Sequence, residues 1–333
     1  MGKNSSDLTK TDTETVLSII IVNYMTRDYL QACLASIMRE CDIAYEVLVV
    51  DNGSTDGSTE MVETNFPSVR IIRNNVNIGF AKANNIGIEH SAGKYILLLN
   101  PDTELTGSTL KIMVYFMEEF PDVSAAGCKI IYPDGRLQFS CGYIPTIESA
   151  LWGGQTFQKI FRKILPESNL PGACGIDPET LGTKCEVETL LGACVIIRKE
   201  VFDKIGMFDE NMFLYFEECD LFFRIKKTGG KIIYMPDTAV IHHAGGSSSK
   251  SLENSVNHYQ KSQEYFFRKN FALRKIKLFR ILVMISSIIK SATLSLIYVF
   301  SRKNKSAELK RKIAWHWYSF LYYVKWLCFR TTP

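Results

Sequence analysis

The stretch YILLLNPD, residues 95–102, is an apolar run that stops abruptly. Its five apolar residues follow the Gly93-Lys94 turn, as in a short strand buried on both faces. Pro101 cannot donate to a strand ladder, so the strand ends there and leaves Asp102 at its carboxyl end. Open α/β sheets bind ligands at that edge. Asp102 is therefore a candidate for handling a metal or a phosphate, and a second acidic cluster, Glu217, Glu218 and Asp220, is available to complete the chemistry.

Upstream of this run, residues 17–22 and 46–50 are apolar and β-branched, with helical spacing between them over 28–37. Residues 69–72 read as a third strand and 79–90 as a helix. Downstream, helices are expected over 110–119, 199–205 and 216–227. Strands are expected over 125–132, 193–197 and 231–234, the last followed by a loop carrying His242 and His243. Strands alternating with helices at this pitch predict an α/β fold with a mostly parallel central sheet. Residues 143–185 show no clean period and read as a long active-site excursion.

The 333 residues are 46% apolar, enough for a substantial core and incompatible with disorder as the general class. The net charge of +4 hides an asymmetry. Residues 1–260 carry 23 Lys and Arg against 33 Asp and Glu, or −10, whereas 261–333 carry 16 against 2, or +14. The nine cysteines include no C-x-x-C pair, which favours reduced thiols and argues against a zinc site. Residues 1–15 form a polar leader without an apolar core, so the domain at 16–272 is expected in the cytoplasm, with no nucleic-acid partner.

The remainder, 273–333, is basic and aromatic. Residues 279–300 are long enough to span a bilayer, yet Ser286, Ser287, Lys290, Ser291 and Thr293 gather on one side. Ile281, Ile285, Ile288, Ile289, Ala292, Leu296 and Val299 gather on the other, the profile of a helix lying in a membrane interface. The segment 313–329 carries Trp315, Trp317, Tyr318, Tyr322, Tyr323 and Trp326, which favour the headgroup level, and the basic residues between the two segments attract anionic lipid.

Four groups of residues are candidates for chemistry. Asp51 ends its strand before the flexible loop 52–58 and is suited to accept a hydrogen bond from a nucleotide base, although an Asx-turn explains it equally well; Asp56 is placed to cap the next helix. Asn77, Gly79, Asn84 and Asn85 offer amides and close backbone approach to ribose or phosphate, Gly87 reads as helix packing, and Lys82 is a candidate for steering a diphosphate. In FLYFEECDLFFR, residues 213–224, three carboxylates crowd a helix start; Glu218 is the favoured general base and Glu217 the alternative. Asp220 is assigned to the acceptor or the loop, and Arg224 to an ion pair. His242 fills the place of a second metal ligand beside Asp102, with His243 pointing the other way.

Read in order, SIIIVNY from Ser18, VVDNGSTDGS from Val49, NIGFAKANNIGI from Asn77, LLLNPD from Leu97, LYFEECDLFFR from Leu214 and IHHAGGSS from Ile241 resemble the inverting family 2 glycosyltransferases, especially their bacterial rhamnosyltransferase-like branch. The resemblance covers about residues 17–271 and implies a GT-A fold. It also implies a donor site formed by Asn23, Asp51, Asn77, Gly79, Asn84 and Asn100, and an acceptor site near Gly192 and Ala193. A divalent cation, Mg2+ or Mn2+, is implied on Asp102 and His242, with Asn100 standing where many relatives have the first acid of a D-x-D element. The implied catalytic residues are Glu218, Glu217 and Asp220, with Glu218 where relatives usually carry Asp as the base. The implied donor is a nucleotide-diphosphate sugar, dTDP-rhamnose first and UDP-sugars second. The implied acceptor is a polyprenyl-diphosphate-linked saccharide at the cytoplasmic face of the bacterial membrane. Two other classes stand beside this reading: a non-catalytic sugar-nucleotide-binding or membrane-docking relative, and a nucleotidyltransferase, whose glycine-rich phosphate loop is missing from VNYMTR at 22–27.

Overall fold

The computed structural model describes residues 15–40, 42–152, 182–244, 251–271, 276–300 and 307–329. Strands β1 (Leu17–Asn23), β2 (Tyr45–Asp51), β3 (Arg70–Arg73) and β4 (Tyr95–Leu99) alternate with helices α1 (Arg27–Ile37), α2 (Ser58–Asn65) and α3 (Phe80–Glu89). They pair in parallel in the order β3-β2-β1-β4. Both faces of this sheet are covered, and successive side chains feed opposite cores. Ile19, Ile21, Leu97 and Leu99 enter one cluster, while Ile20, Val22, Ile96 and Leu98 enter the other. At Gly87 an added Cβ would meet Ile20 Cγ2 at 2.5 Å, so the glycine lets α3 lie close on β1.

Beyond β4 the chain forms β5 (Thr103–Leu105), α4 (Thr109–Glu119), β6 (Val123–Ile131), β7 (Cys141–Gly142) and α5 (Ile147–Trp152). Then follow β8 (Cys185–Glu186), β9 (Thr189–Leu190), β10 (Cys194–Arg198), α6 (Lys199–Ile205), α7 (Glu217–Lys227) and β11 (Lys231–His242). Here the sheet becomes mixed: β10 is antiparallel to β4 and β6, β11 is parallel to β6, and β5 is antiparallel to β11. Most of the excursion expected at 143–185 lies outside the described residues.

The last strand differs from the expectation that it ends at Tyr234. Pro236 sits within a register shift between Met235 and Ala239, after which β11 resumes against Lys129, Ile130 and Ile131 and runs on to His242. A bulge absorbs the missing proline donor, so His242 belongs to a strand end and not to a loop.

Helices α8 (Leu252–Asn270), α9 (Ile276–Phe300) and α10 (Ala307–Phe329) complete the described chain. Met212 and Phe216, from the loop before α7, share one core with Phe266 and Phe267 of α8, Phe279 and Val283 of α9 and Tyr323 of α10. The polar and apolar sides of α9 segregate as expected, but the polar side faces the protein. Ser286, Ser287, Lys290 and Ser291 are buried, Ser286 donating to the Leu151 carbonyl. Buried Arg280 pairs with Glu264 and lies 4.1 Å from the Trp326 ring centroid. The outward face carries Leu278, Ile281, Leu282, Ile285, Ile288, Ile289, Leu296, Val299 and Phe300, all exposed. Several aromatics expected at the headgroup level are packed instead: Tyr323 is buried and donates to Gln260 Oε1 at 2.9 Å, and Trp315 meets Tyr259 edge-on.

Candidate active site

The carboxyl ends of β1, β2 and β4 open onto a cavity of about 550 Å3, within the size range of small-molecule sites. Its lining brings together Asn77, Asn100, Asp102, Gly192, Ala193, Glu217, Glu218 and His242, residues that the sequence reading had singled out separately.

Asp102 and His242 are 140 positions apart and meet through strand pairing. Thr103 of β5 is in register with His242 of β11, and the His243 amide donates to the Asp102 carbonyl at 2.9 Å. This sets His242 Nε2 3.3 Å from Asp102 Oδ1, with both side chains about nine-tenths buried. The other ring nitrogen of His242 faces Gln138 Oε1 at 3.0 Å. His243 turns away, its Nε2 on Glu104 Oε1 at 2.8 Å and its ring against Tyr29. Among the described residues no cluster of three or more His, Cys, Asp and Glu side chains is arranged to hold a metal. An oxygen and a nitrogen ligand facing one cavity nevertheless fit a Mg2+ or Mn2+ ion, which keeps several positions for water and phosphate oxygens. Adjacent ligands of an octahedral ion at about 2.1 Å lie roughly 3 Å apart, close to the spacing of this pair.

The opposite wall is built differently. Tyr215 and Phe216 both adopt left-handed backbone, φ 68° and 67°, an expensive conformation for aromatic residues. The packing of Phe216 against Tyr259, Phe266 and Phe267 holds it. The sharp bend delivers Glu217 and Glu218 at the first turn of α7. Glu217 is 3% exposed, and one oxygen of each carboxylate, Oε2, is buried without a hydrogen-bond partner. Burial pushes both carboxyls above their ordinary range; the neighbouring Glu218 charge raises Glu217 further, whereas backbone N–H groups pull Glu218 the other way. Gly192 lies beside Glu218, and the Ala193 carbonyl accepts from the Asn100 amide at 3.0 Å, so this turn links the two walls.

Other expected site residues fall outside the cavity lining. Asn23 donates to Asp51 Oδ1 at 2.7 Å, and Asp51 Oδ2 accepts from the Ser54 amide at 2.9 Å, so both shape the loop after β2. The direct base contact expected of Asp51 meets a carboxylate that is 2% exposed and engaged with its own loop. Asn84 donates to the Phe80 carbonyl within its own helix. Gly79, φ 92°, would place a Cβ 2.8 Å from Phe213, so it permits close passage of the 213–216 loop. Asp220 is fully buried and receives bonds from Arg224, Lys269 and Asn270 at 2.8–2.9 Å, an anchor for α7 with no cavity surface. Lys82 pairs with Glu210 at 3.4 Å on the surface and is not part of the cavity lining. Asp56 was expected to cap α2, but the N-cap is Gly57; Asp56 stands one residue before it and accepts from the Ser58 and Arg27 amides.

The sequence reading missed Tyr24, Asn52, Phe213, Asn254 and His258 in the lining. Asn52 was visible in the turn after β2, and it bonds Gly79 and Asn77. Asn254 and His258 are spaced i, i+4 on α8, which places them on one face. His258 stacks on Phe213 with ring centroids 4.5 Å apart, a contact that sequence spacing does not foretell.

The family model described as glycosyl transferase family 2 matches residues 18–176, and that described as glycosyltransferase like family 2 matches 176–261. The chain is a family 2 glycosyltransferase. This glycosyltransferase is 27% identical over 263 residues to the N-acetylglucosaminyl-diphospho-decaprenol L-rhamnosyltransferase of Mycobacterium tuberculosis, covering 75% of this chain and 83% of that protein. It is 27% identical over 265 residues to the low-salt glycan biosynthesis hexosyltransferase Agl10 of Haloferax volcanii, covering 78% and 77%. Its fold is GT-A, similar to a Pyrobaculum calidifontis mannosyltransferase solved with GDP-Man and Mn2+ (TM-score 0.54, 15% identity, 95% of this chain and 88% of that one). It is also similar to GalNAc-T7 solved with UDP, GalNAc and Mn2+ (TM-score 0.53, 16% identity, 80% and 55%).

Proposed function

We propose that this glycosyltransferase moves a sugar, with inversion, from a nucleotide diphosphate to a hydroxyl of a polyprenyl-diphosphate-linked saccharide. The observation that carries the reading is the pairing of opposite walls. Buried Glu217 and half-buried Glu218, each with one buried and unpartnered oxygen, line the same cavity as the Asp102–His242 pair. Glu218 accepts the acceptor hydroxyl proton as that oxygen bonds to the anomeric carbon, and the bond from that carbon to the diphosphate oxygen breaks, its electron pair leaving with the diphosphate. Asp102 and His242 hold a divalent cation, which when bound neutralises charge on the departing diphosphate. Asn77 lines the cavity and offers its side-chain NH2 to ribose or phosphate oxygens, with Asn52 bonding its Oδ1 from behind. dTDP-rhamnose is the first donor to test, in line with the mycobacterial relative's name, and UDP-sugars are the second.

The exposed apolar face of α9 and the excess of basic residues after residue 260 support docking on an anionic membrane surface, read as the cytoplasmic face of the bacterial membrane. α9 is also long and apolar enough to cross a membrane. Its buried Ser286, Ser287, Lys290 and Ser291 favour a helix seated on the protein with one side in lipid.

The test is a screen of dTDP-rhamnose and UDP-sugars, with Mn2+, Mg2+ or chelator, for thermal stabilisation and for transfer to a polyprenyl-diphosphate-linked N-acetylhexosamine. Cation-dependent transfer from one donor is the expected result. Donor binding without hydrolysis or transfer under every condition would leave the protein a binding relative.

A further inference from the structure

The geometry points to Gln138 as the residue that fixes which nitrogen of His242 faces the cavity, a role resting on the proposed cation site. Gln138 lies just past a tight hairpin through Pro133, Asp134 and Gly135, and is 5% exposed. Its own amide donates to the Ile130 carbonyl at 2.8 Å, which ties it to β6. Its side chain makes two bonds to one residue. Nε2 donates to the His242 carbonyl at 2.5 Å, and Oε1 lies 3.0 Å from His242 Nδ1.

The first bond dictates the second. A backbone carbonyl only accepts, so the NH2 end of the Gln138 amide must face it, and the oxygen end must then face Nδ1. An amide oxygen only accepts as well, so Nδ1 carries the proton. In the neutral imidazole this leaves the Nε2 lone pair directed at Asp102, 3.3 Å away. A charge-assisted bond between imidazolium and carboxylate closes to about 2.7–2.9 Å. The wider gap between two electron-rich atoms suits a shared cation. Gln138 therefore sets both the tautomer and the ring orientation of a metal ligand from behind, as partners of ligating histidines generally do. It is a positioning residue and has no cavity surface among the residues that line the site.

The experiment compares wild type with Gln138→Met and Gln138→Glu in the full chain. Long-range 1H–15N spectra of the imidazoles, with His242 assigned from a His242→Asn sample, report the tautomer without any metal. Mn2+ uptake in the presence of UDP, followed by loss of the free-ion EPR signal, reports affinity. Wild type is expected to hold His242 with Nδ1 protonated. Gln138→Met is expected to lose that preference and to weaken Mn2+ binding by about 10- to 100-fold. Gln138→Glu keeps an acceptor opposite Nδ1 and retains the tautomer. An unchanged tautomer in a folded Gln138→Met protein overturns the assignment. Wild type that takes up no Mn2+ with UDP overturns the cation reading instead, and the metal-free spectra still judge Gln138.

Discussion

The two walls of the cavity are stabilised in opposite ways. At the strand-edge wall, Asp102 and His242 are fixed by the register of β5 against β11, and the imidazole is held from behind by Gln138. At the helix-start wall, Glu217 and Glu218 ride on two residues of left-handed backbone, and their Oε2 atoms have no partner. The first wall is fixed by regular strand pairing. The second holds desolvated carboxyls that gain a partner when a hydroxyl enters. Preorganisation for charge and an unsatisfied proton acceptor are two demands of glycosyl transfer, and the proposed reaction assigns them to these separate parts of the fold.

The sharpest way to break this contrast is Glu218→Gln. It is expected to cut transfer by about 10²- to 10⁴-fold with donor binding retained, whereas Glu217→Gln loses less than about tenfold. Initial rates with both variants check this, and the reverse ranking would make Glu217 the base. Next, Asp102→Ala is expected to lower transfer about 100-fold or more and to flatten its dependence on Mn2+, with little change in melting temperature. A variant that retains the wild-type cation dependence would remove Asp102 from the proposed ligand set.

A pH series sharpens the same comparison. A base whose carboxyl is raised by burial is competent only when ionised, so transfer should rise with pH through a value above the ordinary carboxylate pKa. The stability effect has the opposite sense. A raised folded-state pKa stabilises the fold at low pH, and that contribution is lost as pH rises from the unfolded value through the folded one. Glu217→Gln should therefore melt higher than wild type near neutral pH and close to it at about pH 4. Equal melting at both would show that burial of Glu217 carries no such cost.

Outside the cavity the expected effects are smaller. Ile285→Asp with Ile289→Asp is expected to reduce co-sedimentation with anionic vesicles severalfold and leave the melting temperature near wild type, because both side chains are exposed on α9. Unchanged sedimentation would move the membrane contact elsewhere. Smallest of all, Lys82→Ala removes an exposed ion pair worth about 0.2–1 kcal/mol and should alter transfer less than threefold.

How much of this was legible beforehand depends on the range of the interaction. The parallel half of the sheet was readable because runs such as 19–22 and 95–99 are apolar throughout, the signature of strands covered on both faces. The acidic helix start and the strand-ending proline were readable for the same local reason. β11 was cut short because a proline usually ends a strand, and only pairing with β6 shows that the ladder resumes. Asp51, Asn84 and Asp220 looked like ligands by residue type, but each has its side chain bonded to neighbouring protein groups.

The sequence by itself therefore determined the parallel strands β1 to β4, the family and the chemical types available, because periodicity, turn residues and motif order are encoded within short windows. Tertiary structure alone decided which of those groups share a cavity. It set His242 beside Asp102 through strand register, placed Gln138 behind it, and faced the polar stripe of α9 inward. Each of those outcomes turns on contacts between residues far apart along the chain, where spacing carries no information about burial or partner.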